Sequence, residues 1–512
     1  MSVGTTTPSS QAQLLSIPRT LWDAIPWVYS SVLFPAKAAG NESSRWLSWL
    51  ILIVLPSAIL YPCMSYHLFE PDEGRYAEIP REMLARGEWV VPYLQGKPYL
   101  DKPPLLYWMV MISYVCFGVH AGAARLIPTL ALHGCILLNY AFGKRYFGER
   151  AAFWGALSLF FTPYFVGVSR LLVLDGVLTL FVTLALYTAF ESVRKTTLSW
   201  SWWFFSAVMS GIGVLSKGPV ILVLIFPPLL TYLWLTNGLR QITMRAFVVY
   251  LGITGLVAFP WYLMMCLRVP EFAYYFFWKH NVQRFLDPFD HLQPFGFYVP
   301  IVLLGCLPAT FLFFDYAKFL FSGRQEIVTK RSPELGFFLM AGLWCLLFFS
   351  MSGCKLPTYI LPAFPPMALA FGSYLVSRGW SQSVWTYTGM VLVYVFLVCA
   401  HYIWIPNQAY QRSPLNTHSR ILELCQDPEV SLVGYPRTVD SMAFYMKRDD
   451  IPHFRSKYTP KLLRYLNQRK KVVVFFGHRH SMKQLENLLP PKLKMVERYP
   501  LGLYNAALIV RK

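Results

Sequence analysis

From residue 46 to about residue 405 the chain is a succession of apolar runs, separated by short breaks that carry most of the charge. A straight crossing of the bilayer core needs about 20 apolar residues, so runs of this kind constrain the fold more than any single motif does. They lie near 46–66, 122–142, 151–168, 171–190, 201–216, 218–236, 246–266, 297–320, 335–351, 357–377 and 383–405, with a shorter one at 104–119. Charged residues make up 14% of the chain, against about 25% in soluble domains. A soluble enzyme and a disordered scaffold are thereby excluded. The nine cysteines are scattered and form no CxxC, which excludes a disulfide-stapled domain and a zinc ribbon.

The short breaks at Lys144–Arg150, Arg194-Lys195, Arg240–Arg245 and Arg324–Arg331 hold Lys and Arg, and the positive-inside rule makes them cytoplasmic. Alternation then places 67–103, 169–171, 217, 267–296, 352–356 and the carboxy-terminal tail outside. The expected architecture is a mainly α, polytopic membrane protein of eleven to thirteen spans, the number turning on whether 104–119 crosses fully. Residues 1–45 show no signal peptide and are expected as an amino-terminal interfacial helix or tail. From about 406 the texture changes. Strand-like runs at Ser431–Tyr435, Lys471–Gly477 and Leu503–Val510 alternate with helix-like Lys461–Gln468 and Ser481–Leu489, which predicts a small external α/β domain over 406–512. That tail holds 19 Lys and Arg against 8 Asp and Glu. Such a basic balance suits anionic head groups or an anionic glycolipid as well as plain solubility.

The first external loop, 67–103, is the chemical anomaly. It carries seven of the chain's 26 acids in 37 residues, interleaved with five Lys and Arg. Within Glu70-Pro71-Asp72-Glu73-Gly74-Arg75-Tyr76, Asp72 follows a proline and is expected to cap a short helix along the membrane surface. At helical spacing Glu78, Arg81 and Glu82 read as a solvated, ion-paired face. Asp72 stands instead where the first span ends, facing the water–lipid boundary, where a general base or electrostatic partner can meet a lipid-borne substrate. Lys102, in Asp101-Lys102-Pro103-Pro104, enters an apolar run and needs an anion, for which a surface phosphate or the lipid head groups are suited.

Other external positions join these. Asp175 lies just inside an apolar run, where a carboxylate is costly and functional by default. Lys217, in Leu215-Ser216-Lys217-Gly218-Pro219, sits on the side that the charge bias disfavours. His280 and Arg284 in the loop 267–296 are one helical turn apart. Lys355 and Tyr359 occupy the turn Ser352-Gly353-Cys354-Lys355-Leu356-Pro357-Thr358-Tyr359. Together these bases and acids describe a cavity suited to a phosphate. No GxGxxG or Walker A pattern accompanies them.

The segments PDEGRYAEIPREM, YLDKPPL, LVLDGVLTLF, LSKGP and SGCKLPTYILP, in this order, resemble the bacterial GT-C glycosyltransferases of the aminoarabinose transferase type, relatives of the protein O-mannosyltransferases. The resemblance covers roughly 46–405. It implies sugar transfer, with inversion, from a polyprenyl (undecaprenyl) phosphate on the periplasmic face of a bacterial inner membrane, to lipid A or another envelope acceptor, without nucleotide or nucleic acid. It implies Asp72 as the catalytic acid residue and Lys102 and Arg284 as ligands of the donor phosphate. Arg75, Tyr76, Asp175, Lys217, Lys355 and Tyr359 become cavity residues. No cofactor is required by this reading, although some members hold a metal such as zinc, for which Asp101 and His280 stand in the corresponding places. Protein O-glycosylation is the alternative within the class. A lipid transporter or flippase, and a non-catalytic scaffold, are the rivals outside it. The first would show no sugar transfer; the second would tolerate Asp72→Asn and fail on loss of 406–512.

Overall fold

The computed structural model describes residues 42–283, 291–413, 419–477, 479–501 and 504–512, and the apolar runs within them are helical. The stretch 1–41 and the position of Arg284 lie outside the described residues. In chain order the membrane body contains α1 (Glu42–Leu60), α2 (Asp72–Arg86), a two-stranded turn of β1 (Tyr93–Leu94) and β2 (Lys97–Pro98), α3 (Leu105–Phe117), α4 (Ala121–Phe160), α5 (Pro163–Ser169), α6 (Leu174–Val193) and α7 (Trp200–Lys217). It continues through α8 (Val220–Leu235), α9 (Met244–Arg268), a π-helical segment (Tyr274–Gln283), α10 (Tyr298–Gly305), α11 (Phe313–Phe321), α12 (Pro333–Met351), α13 (Phe364–Ser377), α14 (Val384–Cys399), a π-helical turn (Ala400–Trp404) and α15 (Ile405–Arg412).

By length and composition, six helical segments among the described residues can cross a membrane, or seven with one bent pair. Several expected spans are shorter helices, notably α1, α3 and α8. The 40-residue α4 joins two of the expected runs. It breaks at Gly148, whose φ of +79° is left-handed and suits glycine. Past this break the chain returns on itself, because a Cβ on Gly143 would lie 3.0 Å from that of Ala152. The run 297–320, expected as one span, is corrected: Phe295–Gly305 and Ala309–Phe321 meet at 105°. Pro308 lies at the break and cannot continue the helical hydrogen bonding. The second limb is pinned where Asp315 accepts from Tyr374 (2.7 Å), Trp380 (3.0 Å) and Arg378 (2.9 Å).

The main core runs through α4, α6, α12 and α13, with Trp154, Phe190 and Phe338 buried at its centre. Inside the bundle, several buried polar side chains find partners, as burial at bilayer depth favours. Asn139, for example, donates to the Pro365 carbonyl (2.9 Å) and accepts from the Tyr187 hydroxyl (2.7 Å).

The tail adds α16 (Ser419–Gln426), β3 (Ser431–Tyr435), α17 (Asp440–Met446), α18 (Thr459–Asn467), β4 (Lys471–Phe476), α19 (Arg479–Leu488), β5 (Leu493–Leu501) and β6 (Tyr504–Arg511). The sheet order is β3-β4-β6-β5, with β3 and β4 parallel and the other pairs antiparallel. The α/β texture is as expected, with α16, α17 and β5 as additional elements. This sheet domain sits against the first loop. The Leu68 N–H donates to Tyr445 Oη (2.9 Å), the Ile451 N–H to Gln95 Oε1 (3.0 Å), and Arg86 pairs with Asp449 (2.9 Å). Gly74 of α2 lets α17 come close, since a Cβ there would stand 2.6 Å from the Ser441 nitrogen.

Candidate active site

Helix α2 begins directly after the first span, with Asp72 and Glu73 in its first turn, where negative charge suits the helix dipole. Asp72 does not cap the helix as expected; Pro71 occupies the cap position, with no side-chain cap. The two neighbouring acids have opposite fates. Glu73 is buried and clamps Arg125 of α4 through both oxygens (2.9 and 2.6 Å). It also accepts from the Phe69 and Leu172 N–H groups, each at 2.9 Å. Arg125 donates in turn to the Met64, Tyr66 and His67 carbonyls, so this pair ties the start of α2 to the membrane body. Asp72 keeps a side chain 51% exposed, and its ion-pair partner among the described residues, Arg75, stands 3.8 Å away, beyond hydrogen-bond length.

Arg75 reaches the other way to Asp440 of α17 (3.5 Å) and lies 6.0 Å from the centre of the Tyr99 ring. Behind it Glu70 accepts from the Ser441 N–H at 2.6 Å. Burial, and then the neighbouring Asp440 charge, pushes the Glu70 carboxyl above the ordinary carboxylate range. Burial raises Asp440 as well, while Arg75 pulls it back down. The sheet domain thereby contributes a carboxylate two contacts away from Asp72.

The remainder of α2 corrects the expectation of a solvated face. Glu78 and Glu82 are buried. Arg81 forks onto Glu78 (2.6 and 2.7 Å), and Glu82 accepts from the Gln95 and Gly96 N–H groups (2.6 and 3.1 Å). These acids brace the loop instead of facing water.

A second wall comes from the membrane body. Lys217, at the end of α7, donates to Asp175 Oδ1 at 2.5 Å, and Thr358 donates to Asp175 Oδ2 at 2.8 Å. The Lys217 ammonium lies 3.7 Å from the centre of the Tyr359 ring. Asp175 opens α6 in its first turn, so the buried carboxylate meets a helix N-terminus as well as a cation. The sequence-derived residues Asp175, Lys217 and Tyr359 are thus brought together.

Tyr76 feels the charge of both walls. Its buried hydroxyl is pushed well above the usual tyrosine range, first by burial, then by the charge of Asp72, with Asp175 and Asp101 acting in the same direction. Tyr99 is raised for the same leading reason and is next to Tyr76 and Asp101. Both phenols are therefore neutral hydrogen-bond donors near neutral pH, a chemistry suited to sugar hydroxyls and phosphate oxygens.

Lys102 is half-buried just before α3. Asp101 accepts from the Tyr275 hydroxyl of the π-helical segment at 2.9 Å. This joins the two external loops at the edge of the site. The side chain of His280 and the whole of Arg284 lie outside the described residues. Among the described residues, no three His, Cys, Asp or Glu side chains gather as a metal site. Lys355 departs from expectation. It is buried, with its ammonium turned to the carbonyls of Gln293 (2.9 Å) and Ser352, and it braces the turn that carries Thr358 and Tyr359.

Sequence reasoning missed Arg125, Asp440 and Thr358. The signal for Arg125 was present: an arginine inside an apolar run, which membrane burial permits only with a partner. Asp440 and Thr358 carried none.

The pattern of the dolichyl-phosphate-mannose-protein mannosyltransferase family matches residues 101–264. An undecaprenyl phosphate-alpha-4-amino-4-deoxy-L-arabinose arabinosyl transferase of Pseudomonas savastanoi pv. phaseolicola is 30% identical over 386 residues, 72% of this chain and 69% of that protein. A relative of the same description, numbered 2, from Pseudomonas fluorescens is 32% identical over 341 residues; the match covers 65% of this chain and 57% of the relative. Against that relative the chain spans less than two thirds of the length. The crystal structure of ArnT from Cupriavidus metallidurans bound to undecaprenyl phosphate superposes with a TM-score of 0.72 at 20% identity, covering 91% of this chain and 98% of that one. The fold is shared. From the match of 30% over more than two thirds of both proteins, the chain belongs to the undecaprenyl phosphate-alpha-4-amino-4-deoxy-L-arabinose arabinosyl transferase family.

Proposed function

We propose that the protein transfers a sugar from a polyprenyl (undecaprenyl) phosphate to an anionic glycolipid of the lipid A type, on the periplasmic face of a bacterial inner membrane. The observation that carries this reading is the contrast at the junction of loop and membrane. A half-exposed acid, Asp72, is loosely held on the loop, whereas the buried Asp175 of the membrane body is neutralised by Lys217, whose ammonium lies over the Tyr359 ring. Family membership, and the relatives named for such a transfer, support it.

In this reading an acceptor oxygen forms a bond to the anomeric carbon as the bond from that carbon to the lipid phosphate oxygen breaks, with inversion. The electron pair leaves with the phosphate. Lys102 and Arg284 stabilise the charge that develops there, and the neutral phenols of Tyr76 and Tyr99 orient the sugar. When the acceptor is a hydroxyl, Asp72 takes its proton. When it is a phosphate, no proton moves and Asp72 steadies positive charge on the sugar ring.

The match to the protein mannosyltransferase pattern favours one second reading, transfer to protein Ser or Thr. Both are tested in proteoliposomes holding wild type or Asp72→Asn, a mixture of polyprenyl-phosphate sugars, and lipid A or a Ser/Thr peptide. A mass gain of one sugar on lipid A, lost in the variant, is the expected result. Gain on the peptide alone replaces the acceptor, transfer that survives Asp72→Asn removes the role given to that acid, and no transfer at all removes the reading.

A further inference from the structure

Two external segments that lie far apart in the chain are stitched together next to the membrane wall. The end of the loop 267–296 runs antiparallel to the turn after α12, with Leu292 bridged to Cys354. The Lys355 N–H donates to the His291 carbonyl at 3.1 Å, and the Gln293 N–H donates to the Gly353 carbonyl at 3.3 Å. A ladder this short is marginal by itself. The Lys355 side chain reinforces it. Its buried ammonium donates to the Gln293 carbonyl at 2.9 Å and to the Ser352 carbonyl. Ser352 is the residue that ends α12, where the last carbonyls lack helical partners and the helix dipole is negative. The helix end thus supplies the counter-charge for Lys355, which pairs with no carboxylate among the described residues. Burying an ammonium is costly, a cost that filling space does not require.

From this knot the chain passes directly to the membrane wall. The next two carbonyls, those of Leu356 and Pro357, accept from the hydroxyls of Tyr298 (3.1 Å) and Tyr164. Thr358 follows, donating to Asp175 Oδ2 at 2.8 Å, and the Tyr359 ring lies 3.7 Å from the Lys217 ammonium. Each residue from Lys355 to Thr358 is therefore fixed by an atom of another segment, and the last of them completes Asp175. A shift at Lys355 has no slack in which to dissipate before it reaches that carboxylate.

We infer that Lys355 is a positioning residue of the transfer site: it anchors the exit of the loop 267–296 to the end of α12, and so sets the register in which Thr358 meets Asp175 and Tyr359 meets Lys217. The inference rests on the sugar-transfer reading and deepens it, moving Lys355 from the cavity, where the family resemblance put it, to the support of the cavity. Its ammonium serves protein carbonyls. Through the turn it keeps Asp175 hydrogen-bonded and Lys217 held, and with them the local charge that a reacting sugar phosphate meets.

Lys355→Met, Thr358→Val and the double variant are compared with wild type for sugar transfer in proteoliposomes, with the polyprenyl-phosphate donor varied. Each single variant should lower kcat by about tenfold, the scale of one hydrogen bond to a charged group, and leave KM for the donor within about twofold. The double variant should fall no further than the weaker single, because both changes undo the same contact. Losses that multiply to about a hundredfold, or a raised KM with kcat unchanged, would overturn the inference. Tyr298→Phe removes an anchor of the same turn without touching a buried charge, and it serves if Lys355→Met does not fold. It should lower kcat by about threefold and add nothing to Thr358→Val; multiplied losses there overturn the inference equally. A second readout needs no transfer. Labelling of Lys217 by acetic anhydride, read by peptide mass spectrometry well below each melting temperature, reports whether its ammonium stays held. It should rise about fivefold in Lys355→Met and in Tyr298→Phe, and labelling equal to wild type in both would overturn the inference. Raised labelling in a protein that transfers no sugar supports the positioning and removes the proposed function alone.

Discussion

The two acid-bearing walls of the site differ in how completely they are satisfied. On the membrane wall, Asp175 has Lys217 at 2.5 Å, Thr358 at 2.8 Å and a helix N-terminus, and it is buried. On the loop wall, Asp72 has one cation, at 3.8 Å, among the described residues and half its side chain in the open. A carboxylate whose lone pairs are already occupied holds structure and sets a local field. One that is under-coordinated retains capacity for a substrate proton or for developing positive charge. The separation of roles between the walls follows from that difference in coordination, since the residue type is the same.

The strongest way to break the comparison is to neutralise each acid in turn. Asp72→Asn should lower kcat for sugar transfer by about 10²- to 10⁴-fold, the range of a lost general base, with the melting temperature unchanged. Asp175→Asn should act differently. It strands the Lys217 ammonium in a buried site, and breaking one partner of such a pair costs about 3–5 kcal/mol of stability, seen as a lowered melting temperature before any assay of turnover. Replacing both partners, as Asp175→Leu with Lys217→Met, should recover most of the stability and leave transfer impaired. If the double variant transfers sugar normally, the membrane wall is structural only. If Asp72→Asn destabilises as much as Asp175→Asn, the distinction between the walls fails.

Glu73 sharpens the contrast because it stands next to Asp72 in the chain. Glu73→Gln leaves Arg125 buried without its counter-charge and should cost stability on the same scale, about 3–5 kcal/mol. Residual folded protein should keep its dependence on Asp72. Thermal melting in detergent, followed by transfer assays on the surviving fraction, separates the two neighbours.

These distinctions mark the limit of what the sequence could reveal. Apolar runs and loop charge exposed the membrane body, the acid-rich loop and the α/β tail, because bilayer burial and alternating strands leave periodic, local signatures. Whether an acid is catalytic or structural depends on partners far along the chain. Glu73 is bound by Arg125 and by the Leu172 N–H, and Glu82 by backbone N–H groups of a turn that has no side-chain signature. Helical spacing alone made Glu78 and Glu82 a wet face, but tertiary packing against α3 and the loop buried them. The break in 297–320 was visible as Pro308, yet prolines also sit inside α1, α4 and α9 without ending them. Composition could not tell which proline bends the chain.

The third contrast concerns the sheet domain, which enters the loop wall through Asp440. Asp440→Asn removes the partner that draws Arg75 away from Asp72. The expected effect is about a tenfold fall in kcat, the worth of a hydrogen bond to a charged group, with little change in KM for the lipid donor. A fall in KM alone, or equal effects of Asp440→Asn and of a substitution on the far side of the sheet, would make Asp440 a packing residue.

The smallest effect is a pH dependence of docking. Glu70 and Asp440 are buried together, and burial raises both above their values in the unfolded chain. Groups so shifted bind protons more tightly when folded, so their contribution is complete below the ordinary carboxylate range and is lost as pH rises through their folded values. The contact between α2 and α17 should therefore loosen as pH climbs from mildly acidic toward neutral and above. Amide hydrogen exchange at the Ser441 N–H, which donates to Glu70, is the direct reporter. After correction for the intrinsic pH dependence of exchange, its protection should fall across that interval in wild type. In Glu70→Gln, where an amide oxygen accepts the same bond without a charge, the fall should flatten. Protection that rises with pH in wild type would mean that Arg75 outweighs burial and holds both acids ionised, and the loop wall would then be as fully charge-compensated as the membrane wall.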